Sequence, residues 1–333
     1  MLEGLAVLAA PLLLAACTPG YLLRGAYEEG RILWKREPIE EVLRRGDLPK
    51  AEREKLELVL EVRHFAKEEL GFRVGGSYGS VSRLEHPAVV HVVTAARRDR
   101  LEPVTWWFPV VGRVPYQGFF SKSSAEARAA RLEKQGFDTY LRPSIAFSTL
   151  GWFDDPLLST LLKLDAPSLA EVVLHELFHN TLFRPGQMAF NESAAVFAGN
   201  RGTIEFFCRR KQPAAKECAA AEARWRDLLR YSAFIGEAAS RLETLYGAPD
   251  ARESLTLHRT RAFAELRAAF RQLPLETDRY DDFVEGPLNN AVLMHERTYF
   301  SELDVFNEFY RRYGGLRPTI QAMRDALAAG GNP

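Results

Sequence analysis

The spacing of apolar positions changes character twice along this chain. Between residues 47 and 72, DLPKAEREKLELVLEVRHFAKEELGF, the residues Leu56, Leu60, Val62 and Phe65 recur near helical intervals. That predicts a helix with one face against a core, with Asp47 able to cap it and Pro49 suited to its first turn. A shorter helix over 38–46, PIEEVLRRG, is stopped by its glycine. From Arg73 to Thr149 the runs shorten. AVVHVVTAA (88–96), PVTWWFPVV (103–111), FDTYLRP (137–143) and IAFSTLG (145–151) are rich in β-branched and aromatic residues and bounded by Gly and Pro, as strands are. One helix, SSAEARAARLEKQG (123–136), lies among them with a serine start and a glycine stop. After Pro156 the helical period runs almost to the end. The expected class is α+β, a mixed β-sheet region followed by an active-site helix and a mainly α-helical C-terminal half. A single domain over 37–330 is expected, with a helical hairpin plus sheet over 37–160 and a helical part over 161–330.

Composition narrows the partners. Basic and acidic residues number 44 each, leaving zero formal charge, so nothing draws the chain to nucleic acid or to an anionic bilayer. Residues 4–16, GLAVLAAPLLLAA, form an apolar run too short to span a membrane but suited to an export signal. It ends in Leu14-Ala15-Ala16-Cys17, which resembles a bacterial lipobox, although the residues before the run carry Glu3 and no Lys or Arg. Residues 1–17 are therefore expected to be a lipoprotein signal ending at a lipid-modified Cys17, with 18–36 as a tether. The expected location is the bacterial envelope, on the periplasmic face and lipid-anchored, with no other membrane contact. Thr18 after the cysteine resembles outer-membrane sorting in a Gram-negative host. The remaining cysteines, Cys208 and Cys218, are an even pair, expected to form a disulfide in an oxidising compartment.

The chemistry concentrates in VLHELFHNTL, residues 173–182. Ser168 and Glu171 have capping-box spacing, so a helix should start there and run to the Arg184-Pro185-Gly186 break. His175 and His179 stand one turn apart on one helix face, a spacing that lets two imidazoles share one zinc ion. Glu176 beside them can act as general base. The flanking Val172, Val173, Leu174, Leu177 and Phe178 are apolar, so polar groups on this helix need partners. A second helical run, AFNESAAVFAG, follows the break and carries Glu192 about one turn in. Ala195 and Gly199 continue its face with small side chains, which would let the two helices pack closely. Two histidines, one glutamate and one open position make a catalytic zinc set, with one Zn2+ per chain.

A His-Glu-x-x-His helix followed by Asn191-Glu192 on the next helix resembles the gluzincin metallopeptidases. That resemblance implies His175, His179 and Glu192 as metal ligands, Glu176 as base and a zincin-like fold. Val196 stands where those enzymes place a supporting aspartate, which leaves Asn191, Asp154 and Asp155 as candidates for that support. EKLELVLEVRHFAKEELGF, FPVVGRVPYQGFF, AFSTLGWFDDPLL and LNNAVLMHERTYF further resemble a bacterial family of lipoproteins labelled predicted aminopeptidases. The expected function is a zinc-dependent peptidase, an aminopeptidase by resemblance. The alternatives are a zinc endopeptidase or an envelope lipoprotein with a structural zinc. Ala146, Phe147, Ser148 and Thr149 would pair with an extended peptide, as the edge strand does in zincins. Tyr299 is the first candidate for an oxyanion donor and His295 the second. Asn289 and Asn290 are expected to serve the backbone rather than substrate, and GGSYGS (75–80) to be a loop.

Overall fold

The computed structural model describes residues 19–84, 90–108, 112–144, 154–209, 215–248 and 254–329. Its elements are α1 (Pro19–Trp34), β1 (Glu37–Pro38), α2 (Ile39–Arg44), α3 (Lys50–Glu68), β2 (Ser80–Ser82), β3 (Val90–Arg97), β4 (Trp106–Phe108), β5 (Gly112–Val114), β6 (Tyr116–Phe119), α4 (Lys122–Lys134), β7 (Phe137–Ser144) and β8 (Leu157–Leu158). Then come α5 (Ala166–His179), α6 (Met188–Cys208), α7 (Ala215–Gly247), α8 (Leu255–Phe270), α9 (Asp282–Glu285), α10 (Asn290–Tyr299), α11 (Leu303–Tyr313) and α12 (Leu316–Ala328). The chain is α+β, with small sheets first and helices throughout its C-terminal half. No described helix is long and apolar enough to cross a membrane.

Among the described residues the strands form three small sheets rather than one. β2 lies between β1, antiparallel, and β8, parallel; β3 lies between β6 and β7, antiparallel to both; β4 and β5 form a hairpin. Most strands are two to four residues long and cannot extend across a common sheet. In β3 the alternation is put to use. Val93 and Ala95 pack with Trp106 onto Ala125, Ala129 and Leu132, the apolar stripe of α4. The opposite face, with Val90 and Val92, looks into a cavity. The expected strand over 145–151, with Ala146, Phe147, Ser148 and Thr149, lies outside the described residues, as does the signal with Cys17.

Three local expectations need correction. The 18–36 tether is a helix over Pro19–Trp34, held by tertiary contacts that outweigh its glycines. The Tyr21 hydroxyl donates to the Gly118 carbonyl at 2.7 Å, and Ile32 buries against Leu158. Asp47 does not cap α3, which begins at Lys50 with Pro49 in the cap position and no side-chain cap bond. The fixed φ of Pro49, at −55° typical of proline, sets the turn two residues later than Asp47 could serve. The start of α5 also differs, as described below. Among the described residues, the main apolar core joins α3, α5, α6 and α7 to the C-terminal helices, from Ile39 to Met323.

Candidate metal centre and its cavity

Asp165, not Ser168, caps α5. Its carboxylate accepts from the Ser168 backbone N–H at 2.8 Å and is clamped by Arg224. Because the helix starts at Ala166, Glu171 lies too far along to close a capping box. It binds Arg279 instead, through two bonds of 2.6 Å, and accepts from Asn200 at 3.1 Å. α5 ends at His179. The chain reverses through a turn in which Gly186 has φ +79°, a conformation open to glycine. Asn191 holds that turn: its side chain accepts from the Arg184 N–H at 2.8 Å and donates to the Arg184 carbonyl at 2.7 Å.

α6 then packs back along α5 at close range. A Cβ on Gly199 would stand 2.9 Å from the Glu171 carbonyl oxygen and 3.3 Å from the His175 Cβ. The missing side chain lets the two helices approach until their polar groups converge. His175 Nε2 and His179 Nε2 are 3.3 Å apart, and Glu192 Oε2 lies 3.4 Å from the first and 3.7 Å from the second. Donors about 2.1 Å from a tetrahedral zinc stand about 3.4 Å from one another, so the three atoms fit such an ion closely. Two imidazoles and one carboxylate also match zinc better than magnesium or calcium, which prefer oxygen ligands throughout. This cluster is one of two among the described residues able to hold a metal. The other contains Cys208 and Cys218, which are joined as a disulfide and offer no thiolate.

Burial sets the electrostatics. Burial alone would raise the Glu192 carboxyl, but His179 and His175 hold it well below the usual carboxylate range. Glu176 goes the other way. Burial lifts it, the two histidines oppose the lift, and the charges of Glu192 and Asp155 reinforce it. Asp155 thus bears on Glu176 through its charge. Asp154 holds the glycine-rich loop, accepting from the Gly76 N–H at 2.7 Å. Among the described residues, the bonds seen for Asp154 and Asp155 run to the 75–78 loop and Arg36 rather than to His175 or His179. His179 Nδ1 is buried with no partner among the described residues, in keeping with an apolar Val196 on the facing helix.

A cavity of about 1400 Å³ opens beside the cluster, with His175, Glu176, His179 and Glu192 on its wall. α10 supplies another part of the wall. Its cap is Asn289, which accepts from the Ala291 and Val292 N–H groups at 2.9 and 3.1 Å. Asn290 ties the helix to the end of β3, donating to the Arg97 carbonyl at 2.8 Å. From this helix His295, Glu296 and Tyr299 face the cavity. Burial, followed by the Glu192 charge, holds the Tyr299 hydroxyl protonated far above its ordinary range. Burial and the Arg142 charge hold His295 neutral. Arg142 itself, on β7, lies over the Tyr299 ring at 6.0 Å. Tyr116, Arg142 and Glu296 are cavity residues that sequence reasoning missed. For Glu296 a signal existed, since Val292, His295, Glu296 and Tyr299 have one-face helical spacing.

A family model described as "Putative aminopeptidase" matches residues 20–331, so the chain belongs to that family. No curated protein and no solved structure matches it.

Proposed function

We propose that this family member is a zinc metallopeptidase that removes residues from the free amino end of peptides, with a zincin-like arrangement of its metal helix. The observation that carries the reading is the convergence of His175, His179 and Glu192 within 3.3–3.7 Å, with Glu176 beside them on the wall of a large cavity. A structural zinc needs neither a base nor a cavity. A zinc ion held there would supply Lewis-acid polarisation of the scissile carbonyl and acidify a water. Glu176 takes the proton of the attacking water and passes it to the leaving amine, a task suited to a carboxyl lifted by burial. Tyr299 donates to the carbonyl oxygen as negative charge develops on it, and its phenol stays protonated to do so. The lipobox-like run supports anchoring through Cys17 in the envelope, where peptides would be the substrates.

The test compares free and N-acetylated peptides. The wild-type protein should cleave only the free set, and Glu176→Gln should retain its zinc while losing about 100-fold or more in kcat. Cleavage of both sets alike would make it an endopeptidase, and full activity in Glu176→Gln would remove the base from the mechanism.

A further inference from the structure

Several buried carboxylates away from the metal cluster are paired with arginines, whereas Glu296 on the cavity wall is not. Glu171 is held by Arg279, Asp138 by Arg98 and Arg259, Glu205 by Arg209, and Asp227 by Arg230. Glu296, on α10, accepts one bond from the Tyr231 hydroxyl at 2.8 Å, and among the described residues no cation or backbone N–H bonds its carboxylate. Arg142 acts on it only through the field of its charge. An ionised carboxylate taken out of water without a cation is costly, so a position of this kind suits a ligand that brings the cation with it.

The surroundings favour an ammonium group. Tyr231 stacks on Tyr280 with ring centres 4.1 Å apart and meets Phe283 and Phe300 edge-on at 5.5 and 5.3 Å. All four rings line the same cavity as Glu296. Aromatic faces attract cations, while the carboxylate supplies the directed hydrogen bond. The spacing along α10 also fits. Glu296 precedes Tyr299 by three residues, about 4.5 Å of helix rise. In an amino-terminal residue the nitrogen lies about 2.5 Å from its carbonyl carbon, and a charge-assisted hydrogen bond adds about 2.8 Å. The two lengths are both of the order of one helical turn, so a carbonyl beside Tyr299 leaves its amine within reach of the same face of α10.

We propose that Glu296, fixed by Tyr231, binds the α-ammonium group of the substrate and thereby confines cleavage to the amino-terminal residue. This rests on the metallopeptidase reading above and gives it a specificity residue. Glu29 on α1 is another carboxylate on the cavity wall, and it lies within the influence of the Asp155 charge.

The experiment measures kcat/KM of the full-length protein on leucine anilide and its N-acetyl form, for wild type, Glu296→Gln and Glu29→Gln. In parallel, calorimetry measures L-leucinamide binding to the same proteins at matched zinc content. Gln keeps an acceptor for Tyr231 and removes only the charge. The expected result is that Glu296→Gln loses about 10- to 100-fold in kcat/KM on the free amine and in leucinamide affinity, mostly through KM, with zinc content unchanged. Glu29→Gln should match wild type in both. Unaltered leucinamide affinity in Glu296→Gln, or a loss confined to Glu29→Gln, overturns the assignment. An inactive wild type that nevertheless binds leucinamide through Glu296 would overturn the peptidase reading while retaining the amine site. A wild type that neither cleaves nor binds overturns both.

Discussion

At the scale of single residues, the proposed mechanism divides the side chains into groups that would hold the metal and groups that would face the substrate. Tyr299 belongs to the second kind. Tyr299→Phe removes one donor without changing the wall of the cavity, and kcat should fall about 100-fold or more while KM and zinc content stay near wild type. Steady-state kinetics beside elemental analysis checks this. Glu296 gives a prediction on stability. Burial pushes its carboxyl up to about 7, against the lowering effects of the Tyr231 bond and the Arg142 charge. The folded protein therefore holds this proton more tightly than the unfolded chain, whose glutamate titrates near 4.5. The favourable contribution is complete below the unfolded value and is lost as pH rises through about 7. Glu296→Gln does not titrate. Its Tm should match wild type near pH 4.5 and exceed it by a few degrees near pH 8, as thermal unfolding across that window will show. His175, His179, Glu176 and Glu192 were legible in the sequence because helical spacing and a turn relate them. Arg142 and Tyr116 were not, since they reach the cavity through strand pairing across long separations: Arg142 lies opposite Val92, and Tyr116 opposite Thr94.

At the scale of elements, the centre depends on how closely α5 and α6 pack. Gly199 is the point of contact, where a Cβ would press on the Glu171 carbonyl and on His175. Backbone cannot yield as a flexible side chain does, so Gly199→Ala should cost about 1–3 kcal/mol and weaken zinc retention by shifting His175 relative to Glu192. Gly236 in α7 is the control, because a Cβ there meets nothing within 4 Å. Gly236→Ala should stabilise by about 0.5–1 kcal/mol and leave the metal untouched. Thermal melts of the two variants, with metal competition by a chelator, separate the two effects. Element existence was mostly readable from periodicity, as α3, α4, β3 and β7 demonstrate. Helix starts were not. Asp165 competed with Ser168 for the cap of α5 and prevailed because Arg224 orders it. The 18–36 segment became a helix through contacts at Tyr21 and Ile32 that no local pattern announces.

At the scale of the whole molecule, strands and C-terminal helices line one cavity together. β3, β6 and β7 contribute part of the lining, α5 and α6 the cluster of His175, His179 and Glu192, and α10 a further part. The α+β order of elements was legible from the shift in period near Pro156, whereas the division into three sheets was not. Strand length alone does not say which partner a short strand will find. The family match over residues 20–331 spans all of these elements. Everything proposed for the reaction depends on whether His175, His179 and Glu192 hold zinc. The decisive measurement is the zinc content per chain, by elemental analysis, of wild type and of the His175→Ala/His179→Ala double variant purified side by side. The account predicts close to one zinc per chain in wild type and almost none in the double variant. Equal content in the two, or a wild type that retains no zinc when purified with it, would contradict the account.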